Sequence, residues 1–378
     1  MELMPTRHRL IAALIFCAPL MMARAAEPAA ALDLATLTDA HPEWREGLAA
    51  FLAAAPPRAI AFAPDGHWGL GTGSPRAIDR AVQACKSGGS GACRVVAVDE
   101  QLVPDPGRAF VAVQMGGYAD DAFSAEVAKQ WLPVVRSATS QFDHLVNEVL
   151  QVQLGRDVHV YIGAGVEDYE QVLAGDMHMR AERANLEGEV SGGLSNSRGQ
   201  IALKFTPKLK PAALYERAVK TPLHELTHEL QKQLGANYAG FRPPIWMIEG
   251  TADLMAFTLA RDLQVSDVEA RPLRDWRERN LTWWRRGNTT GLQADDLVGV
   301  THARWLQMMK EKRGCYQMAG LMSMYLQSLG GEHFLQSWVA YFRSAGVRGQ
   351  DADAAFMQAF GMSEVAFVAD FKRWLAQQ

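Results

Sequence analysis

The chain has 378 residues, a formal net charge of −4 and 48% hydrophobic residues. That length and composition suit one large globular domain or two unequal ones with a proper core. The mildly acidic balance offers no basic footprint and argues against nucleic acid as a partner.

Residues 1–25 read as a secretory signal. Arg7 and Arg9 make a basic start, an apolar run extends from Leu10 to Met22, and Ala23 and Ala25 flank Arg24 as a cleavage site. The run is shorter than the roughly 20 residues of a permanent span. Cys17 follows Ile15 and Phe16, not the small residues of a lipoprotein signal. The expectation is an exported protein, periplasmic or secreted after cleavage near Ala25, with no permanent membrane anchor.

Residues 26–115 are expected to form a small α/β module. An Ala-rich helical stretch ends at Pro56 and Pro57, and Asp65 and Gly66 between alternating apolar residues suggest a hairpin. Gly71 and Gly73 lack the third glycine and following acid of a dinucleotide fingerprint. Ser74 and Pro75 open a helix running to Cys85, and Cys93 to Val98 reads as a strand. Cys85 and Cys93 bracket a flexible Gly/Ser loop, which in an exported chain reads as a disulfide; Cys315 is then unpaired and buried. Pro104 and Pro106 mark a plausible boundary.

Residues 116–378 are expected to form the larger domain. A long amphipathic helix covers 121–153, kinked or restarted at Pro133. Val158 to Ile162 alternates like a strand with His159 facing away from the core, a helix follows around 166–174, and 175–190 are polar with His178 in a loop. Glu189 to Phe205 suggests a hairpin turning at Asn196 to Gly199. The next helix either starts at Thr221 and Pro222 or continues from Ala212, and ends at Gly235.

That helix carries His224, Glu225 and His228 in the pattern H-E-x-x-H. Residues four apart share one helix face, so both imidazoles can grip one metal ion while Glu225, one position round, reaches a water on it. The following segment carries Glu249 and Asp253, also four apart. One of these carboxylates can ligate the metal while the other accepts the free ring N–H of a ligating histidine.

Together these segments resemble the gluzincin metallopeptidases, the thermolysin- and aminopeptidase-like group, and in particular its peptidase-MA-like branch. The resemblance rests on H-E-x-x-H at 224–228 and on W-x-x-E-G-x-A at Trp246, Glu249, Gly250 and Ala252. It implies an α+β fold: a zincin (thermolysin-like) catalytic domain with a mixed sheet and an active-site helix, and a mostly helical C-terminal part. It implies one Zn2+ per chain held by His224, His228 and Glu249, with Glu225 as general base and Asp253 orienting a histidine. It also implies that the strand before the metal helix, Gln200 to Phe205, receives an extended substrate. Tyr316 is the first candidate for oxyanion stabilisation, with His333 and Tyr325 behind it.

Two rival zinc patterns bear on this. A metzincin needs Gly at 231 and His at 234, where this chain has Gln231 and Leu234. An aspzincin takes its acidic ligand from G-T-x-D, which Gly250, Thr251 and Asp253 match, so Asp253 as a ligand stays open.

Beyond the second motif, Trp276, Trp283 and Trp284 lie among arginines at 271–286 and read as a helix packing its rings on the domain. Residues 302–345 read as two helices parted at Gly330 and Gly331, with Met308, Met309, Met318, Met322 and Met324 as core. The function expected is an exported zinc metallopeptidase acting on peptides or proteins. The alternative is a non-catalytic protein of the same scaffold, used for binding or envelope assembly.

Overall fold

The structure is a computed structural model. It describes residues 34–378 apart from 75, 90–92, 100, 104–108, 110, 263–274, 287–290 and 312–313. The secretory-signal reading and the boundary at Pro104 and Pro106 therefore lie outside the described residues. Among those described, no helix is long and apolar enough to cross a membrane.

The chain builds an α+β fold on two four-stranded sheets. After two short helices, α1 (Leu34–Ala40) and α2 (Arg45–Ala53), come β1 (Arg58–Phe62), β2 (Trp68–Thr72), α3 (Ala77–Gly88), β3 (Arg94–Val98) and β4 (Gln101–Leu102). The first sheet is antiparallel throughout, in the order β2-β1-β3-β4. The expected hairpin turn is there, with Gly66 at φ 87° between β1 and β2. Trp44, Leu48 and Phe51 pack with Ile60, Phe62 and Val96 on one face. On the other, α3 lies on β2 so closely that a Cβ at Gly69 would fall 2.1 Å from the Cys85 nitrogen, and one at Gly71 1.9 Å from the Ala77 carbonyl oxygen. Gly71, one of the two glycines that fail as a nucleotide fingerprint, is together with Gly69 what lets helix and strand touch. Cys85 and Cys93 are joined as a disulfide, and Cys315 is free and buried.

The second sheet has the order β5-β6-β8-β7. Its strands are β5 (Val111–Met115), β6 (Val158–Ala164), β7 (Gly193–Ser195) and β8 (Gln200–Phe205). β5, β6 and β8 run parallel and are nearly all buried, as parallel strands covered on both faces must be. β7 is antiparallel to β8 and sits at the edge. The second sheet begins at β5, before residue 116, because Val111 to Met115 pair with Val158 to Ile162. The strand order corrects one expectation, that β8 is the receiving edge. β8 is flanked on both sides, by β6 and β7, so its backbone is already committed, and the edge strands are β5 and, on the α8 side, β7.

The long helical stretch before β6 is broken into α4 (Ala122–Glu126), a π-helical turn at Val127–Trp131 and α5 (Leu132–His144), where Pro133 stands in the first turn as its missing N–H permits. Between β6 and β7 lie α6 (Val166–Gln171) and α7 (Ala181–Val190), and His178 stands in the short loop before α7. The metal-pattern helix, α8, is continuous over Pro211–Leu234 with Pro222 inside it, and Gly235 caps its end. It packs on the second sheet and on α9 (Ile245–Asp262).

Helices Trp276–Arg285, His302–Glu311, Cys315–Gly330, Phe334–Ala345, Ala352–Phe360 and Glu364–Leu375 complete the fold around one large core. Trp276 is buried, and Trp283 and Trp284 pack against that core, as expected of a structural helix. Met308, Met318 and Met322 are buried in it, whereas Met309 is exposed.

Candidate metal centre

The site stands where α8 crosses α9. On α8, His224, His228 and Gln231 form one stripe facing α9, and Arg217, Thr221 and Glu225 form the neighbouring stripe, as a 3.6-residue period requires. The edge strand lies over this second stripe: a Cβ on Gly193 would meet the Thr221 methyl at 2.6 Å and the Glu225 carboxylate at 3.2 Å. Only a residue without a side chain lets β7 come down onto Glu225 at this point.

His224, His228 and Glu249 converge, all three buried. The two Nε2 atoms are 3.0 Å apart. Glu249 Oε2 is 3.5 Å from His224 Nε2 and 3.4 Å from His228 Nε2. Ligands about 2.0–2.1 Å from a tetrahedral metal ion stand about 3.3 Å from one another. The three separations bracket that edge, so this group could hold one metal ion. No other such cluster of His, Cys, Asp or Glu occurs among the described residues.

Each imidazole is gripped on its far nitrogen. His224 Nδ1 is 2.7 Å from Asp253 Oδ1, and the Lys220 ammonium reaches the same oxygen at 2.5 Å. Asp253 thus turns away from the two Nε2 atoms, on the side opposite Glu249. His228 Nδ1 is 2.9 Å from Gln231 Oε1. Gln231 in turn donates to the Ile248 carbonyl and to Thr251 Oγ1, each at 3.0 Å, and Thr251 Oγ1 also accepts from Trp338 Nε1 at 3.0 Å. Such contacts set the ring tautomer and orientation, leaving Nε2 turned to the shared point.

The charges follow from this packing. Burial and Lys220 both oppose a charge on His224, yet Asp253 and Glu249 outweigh them and raise its pKa to about 9. Burial works against the Glu249 carboxylate, but the two histidines hold it well below the ordinary carboxylate value. Both results describe the same thing: a buried anion facing two imidazoles, a setting that favours positive charge beside it.

The glycine after Glu249 also has a reason. A Cβ at Gly250 would fall 2.3 Å from the Ala319 carbonyl oxygen, so glycine lets helix Cys315–Gly330 pack directly on α9. This approach brings Tyr316 to the site, its ring centroid 6.2 Å from that of His224 and braced edge-on by Trp305. Burial and then the Glu249, Asp253 and Glu225 carboxylates push the Tyr316 pKa well above the ordinary tyrosine value. The hydroxyl therefore keeps its proton and remains a donor. Trp246 plays a different part: its indole donates to Glu364 at 2.7 Å and stacks on Phe367, behind the site.

The structure thus brings together His224, Glu225, His228, Glu249, Asp253 and Tyr316. It does not bring Tyr325 or His333. Tyr325 donates to Asp370 at 2.6 Å among Phe367, Phe371 and Trp374, and His333 is exposed. Sequence reasoning did not find Lys220, Gln231 or Thr251. Gln231 and Thr251 stand three residues beyond His228 and two beyond Glu249, and the first of these spacings puts Gln231 on the same face as His228. His302, an exposed residue in the field of Arg242 and Glu249, had no sequence signal at all.

Gln231→Ala leaves His228 Nδ1 without its acceptor and severs the link to Thr251. Metal affinity is expected to fall about 10–100-fold with the fold retained. Competition titration against a chromogenic chelator, with circular dichroism as a control, measures this; unchanged affinity would show that Gln231 does not orient the ring.

A scan against protein-family models and searches of curated proteins and of solved structures found no match to this chain.

Proposed function

We propose that this protein is a zinc-dependent metallopeptidase of gluzincin type, hydrolysing peptide bonds outside the cytoplasm. The observation that carries the reading is the buried His224, His228 and Glu249 triad at tetrahedral spacing, with Glu225 beside it under a free strand edge. Two neutral imidazoles and one carboxylate suit zinc and leave a coordination position open. The Cys85–Cys93 disulfide is compatible with an exported protein.

When bound, zinc would polarise the scissile carbonyl and acidify water. The chain's own groups do the rest. Glu225 takes a proton from the attacking water and later passes it to the leaving amine. Tyr316 donates to the carbonyl oxygen as it gains negative charge. Asp253 and Gln231 hold the two imidazoles in register. The backbone of Gly193 to Ser195 pairs with an extended peptide, a role that the buried β8 cannot take.

Purified protein is expected to carry about one zinc per chain and to cleave members of a peptide library, with cleavage lost on chelation and restored by zinc. Metal analysis by mass spectrometry and a mass-based library digest test this. A chain that takes up no zinc at the triad, or that holds zinc and cleaves nothing, would overturn the reading.

A further inference from the structure

The edge strand has a direction relative to α8, and one end of it carries an uncommitted cation. Gly192, in the bend that leads into β7, lies under Arg217: a Cβ there would fall 1.3 Å from one guanidinium nitrogen. Gly193 lies against Thr221 and Glu225. Ser195 is tied to Lys232, whose ammonium donates to its hydroxyl at 2.7 Å and its carbonyl at 3.1 Å. From Arg217 through Glu225 to Lys232, β7 therefore runs beside α8 in the same direction.

Antiparallel pairing is the commoner and stronger mode for a short edge. A peptide paired so with β7 passes Ser195 first, reaches Glu225 and the triad at Gly193, and then runs toward Gly192 and Arg217. The pairing template covers the acyl side of the scissile bond. On the leaving-group side the strand bends away, and Arg217 stands there.

The other cations near this end of the strand are engaged. Lys204 donates to the Gly188 carbonyl at 2.6 Å and lies over the Tyr169 ring, and Arg183 stands 3.8 Å from Glu187. Arg217 makes no hydrogen bond or ion pair among the described residues; Tyr169, Glu216 and Glu225 lie in its field without pairing with it. It is partly buried, and its charge costs desolvation that no protein group offsets by direct contact.

We infer that Arg217 is a specificity residue that binds a carboxylate on the first or second residue after the scissile bond, which directs the enzyme to acidic leaving groups. This rests on the metallopeptidase reading and on β7 as the receiving edge. A guanidinium meets a carboxylate through two parallel N–H donors, and such charged pairs carry more free energy than neutral ones. At about 3.4 Å per extended residue, the step from Gly193 to Gly192 sets the one-to-two-residue reach. The carboxylate can be the free C-terminus of a short leaving group or an internal Asp or Glu side chain, and substrate pairs separate the two.

The test compares the metal-loaded wild type, Arg217→Gln and Gly192→Ala on matched peptides. One pair differs only in a free or amidated C-terminus two residues beyond the cleaved bond. A second differs in Asp or Asn at the first and second positions beyond it, within a longer amidated peptide. The wild type is expected to favour the acid member of at least one pair by about 10–100-fold in kcat/KM, and Arg217→Gln to bring that ratio close to one while keeping its zinc. Gly192→Ala, which pushes the guanidinium off its seat while leaving it charged, is expected to reduce the same ratio.

Fluorescence anisotropy of the labelled pairs on Glu225→Gln, with and without Arg217→Gln, reads the same preference as binding. A wild-type ratio near one in both pairs, with peptides still cleaved, would overturn this inference and leave the metallopeptidase reading standing. So would an acid preference that Arg217→Gln does not change. If no peptide is cleaved and no zinc bound, the metallopeptidase reading fails. In that case an anisotropy preference lost in Arg217→Gln still supports the carboxylate site, and its absence overturns it.

Discussion

Glu225→Gln is expected to keep its zinc and to lose turnover by about a hundredfold or more. The substitution preserves the size of the side chain and its ability to hydrogen-bond, but an amide cannot accept a proton at neutral pH, and general-base catalysis is worth about 10²–10⁴-fold. Glu225 is not one of the three converging ligand groups; it lies on the adjacent stripe of α8, beneath Gly193. Metal stoichiometry should therefore stay near the wild-type value. Steady-state cleavage of a library-selected peptide, alongside metal analysis of the same preparation, gives both numbers. Intact activity in this variant would end the hydrolytic mechanism with Glu225 as base, whatever the metal content.

Glu249→Gln is expected to fail differently, with metal and activity falling together. The variant exchanges an anionic ligand for a neutral amide oxygen, a poor donor to zinc, and removes the negative charge that faces both imidazoles at 3.4–3.5 Å. Asp253→Asn should be intermediate, weakening metal binding about 10–100-fold by loosening His224. The comparison also decides the aspzincin alternative, in which Asp253 is the acidic ligand. Asp253 Oδ1 is taken up by His224 Nδ1 and Lys220, on the far side of the ring from the shared point. Should Asp253→Asn empty the site while Glu249→Gln retains metal, Asp253 and not Glu249 would be the third ligand. Equilibrium dialysis with zinc over a range of free-ion concentrations separates the two outcomes without depending on activity.

The two motifs were legible because helix geometry turns sequence spacing directly into spatial relation. His224 and His228 share a face wherever the helix goes, and so do Glu249 and Asp253. The glycines were uninformative for the opposite reason. Gly69, Gly71, Gly193 and Gly250 each make room for a partner from another element: α3, Glu225 and helix Cys315–Gly330. A glycine in a sequence gives no sign of what approaches it. The substrate-strand expectation erred in the same way. Gln200 to Phe205 has the alternation of a strand, but alternation cannot say whether a strand is flanked, and β8 is flanked on both sides.

By itself, then, the sequence determined which residue types share a helix face, the two histidines, Glu225 beside them and the two carboxylates, because these relations are local and set by a 3.6-residue period. It also determined the Cys85–Cys93 pairing, which spans a short loop. Tertiary structure alone decided that α9 brings Glu249 to the two Nε2 atoms, that Asp253 and Gln231 take the other nitrogens, and that Tyr316 joins the site where Tyr325 and His333 do not. It alone decided that β7 is an edge strand beside α8 and that Arg217 stands at its start. These depend on how separate elements pack, through contacts between residues far apart in the chain, and no local period encodes them.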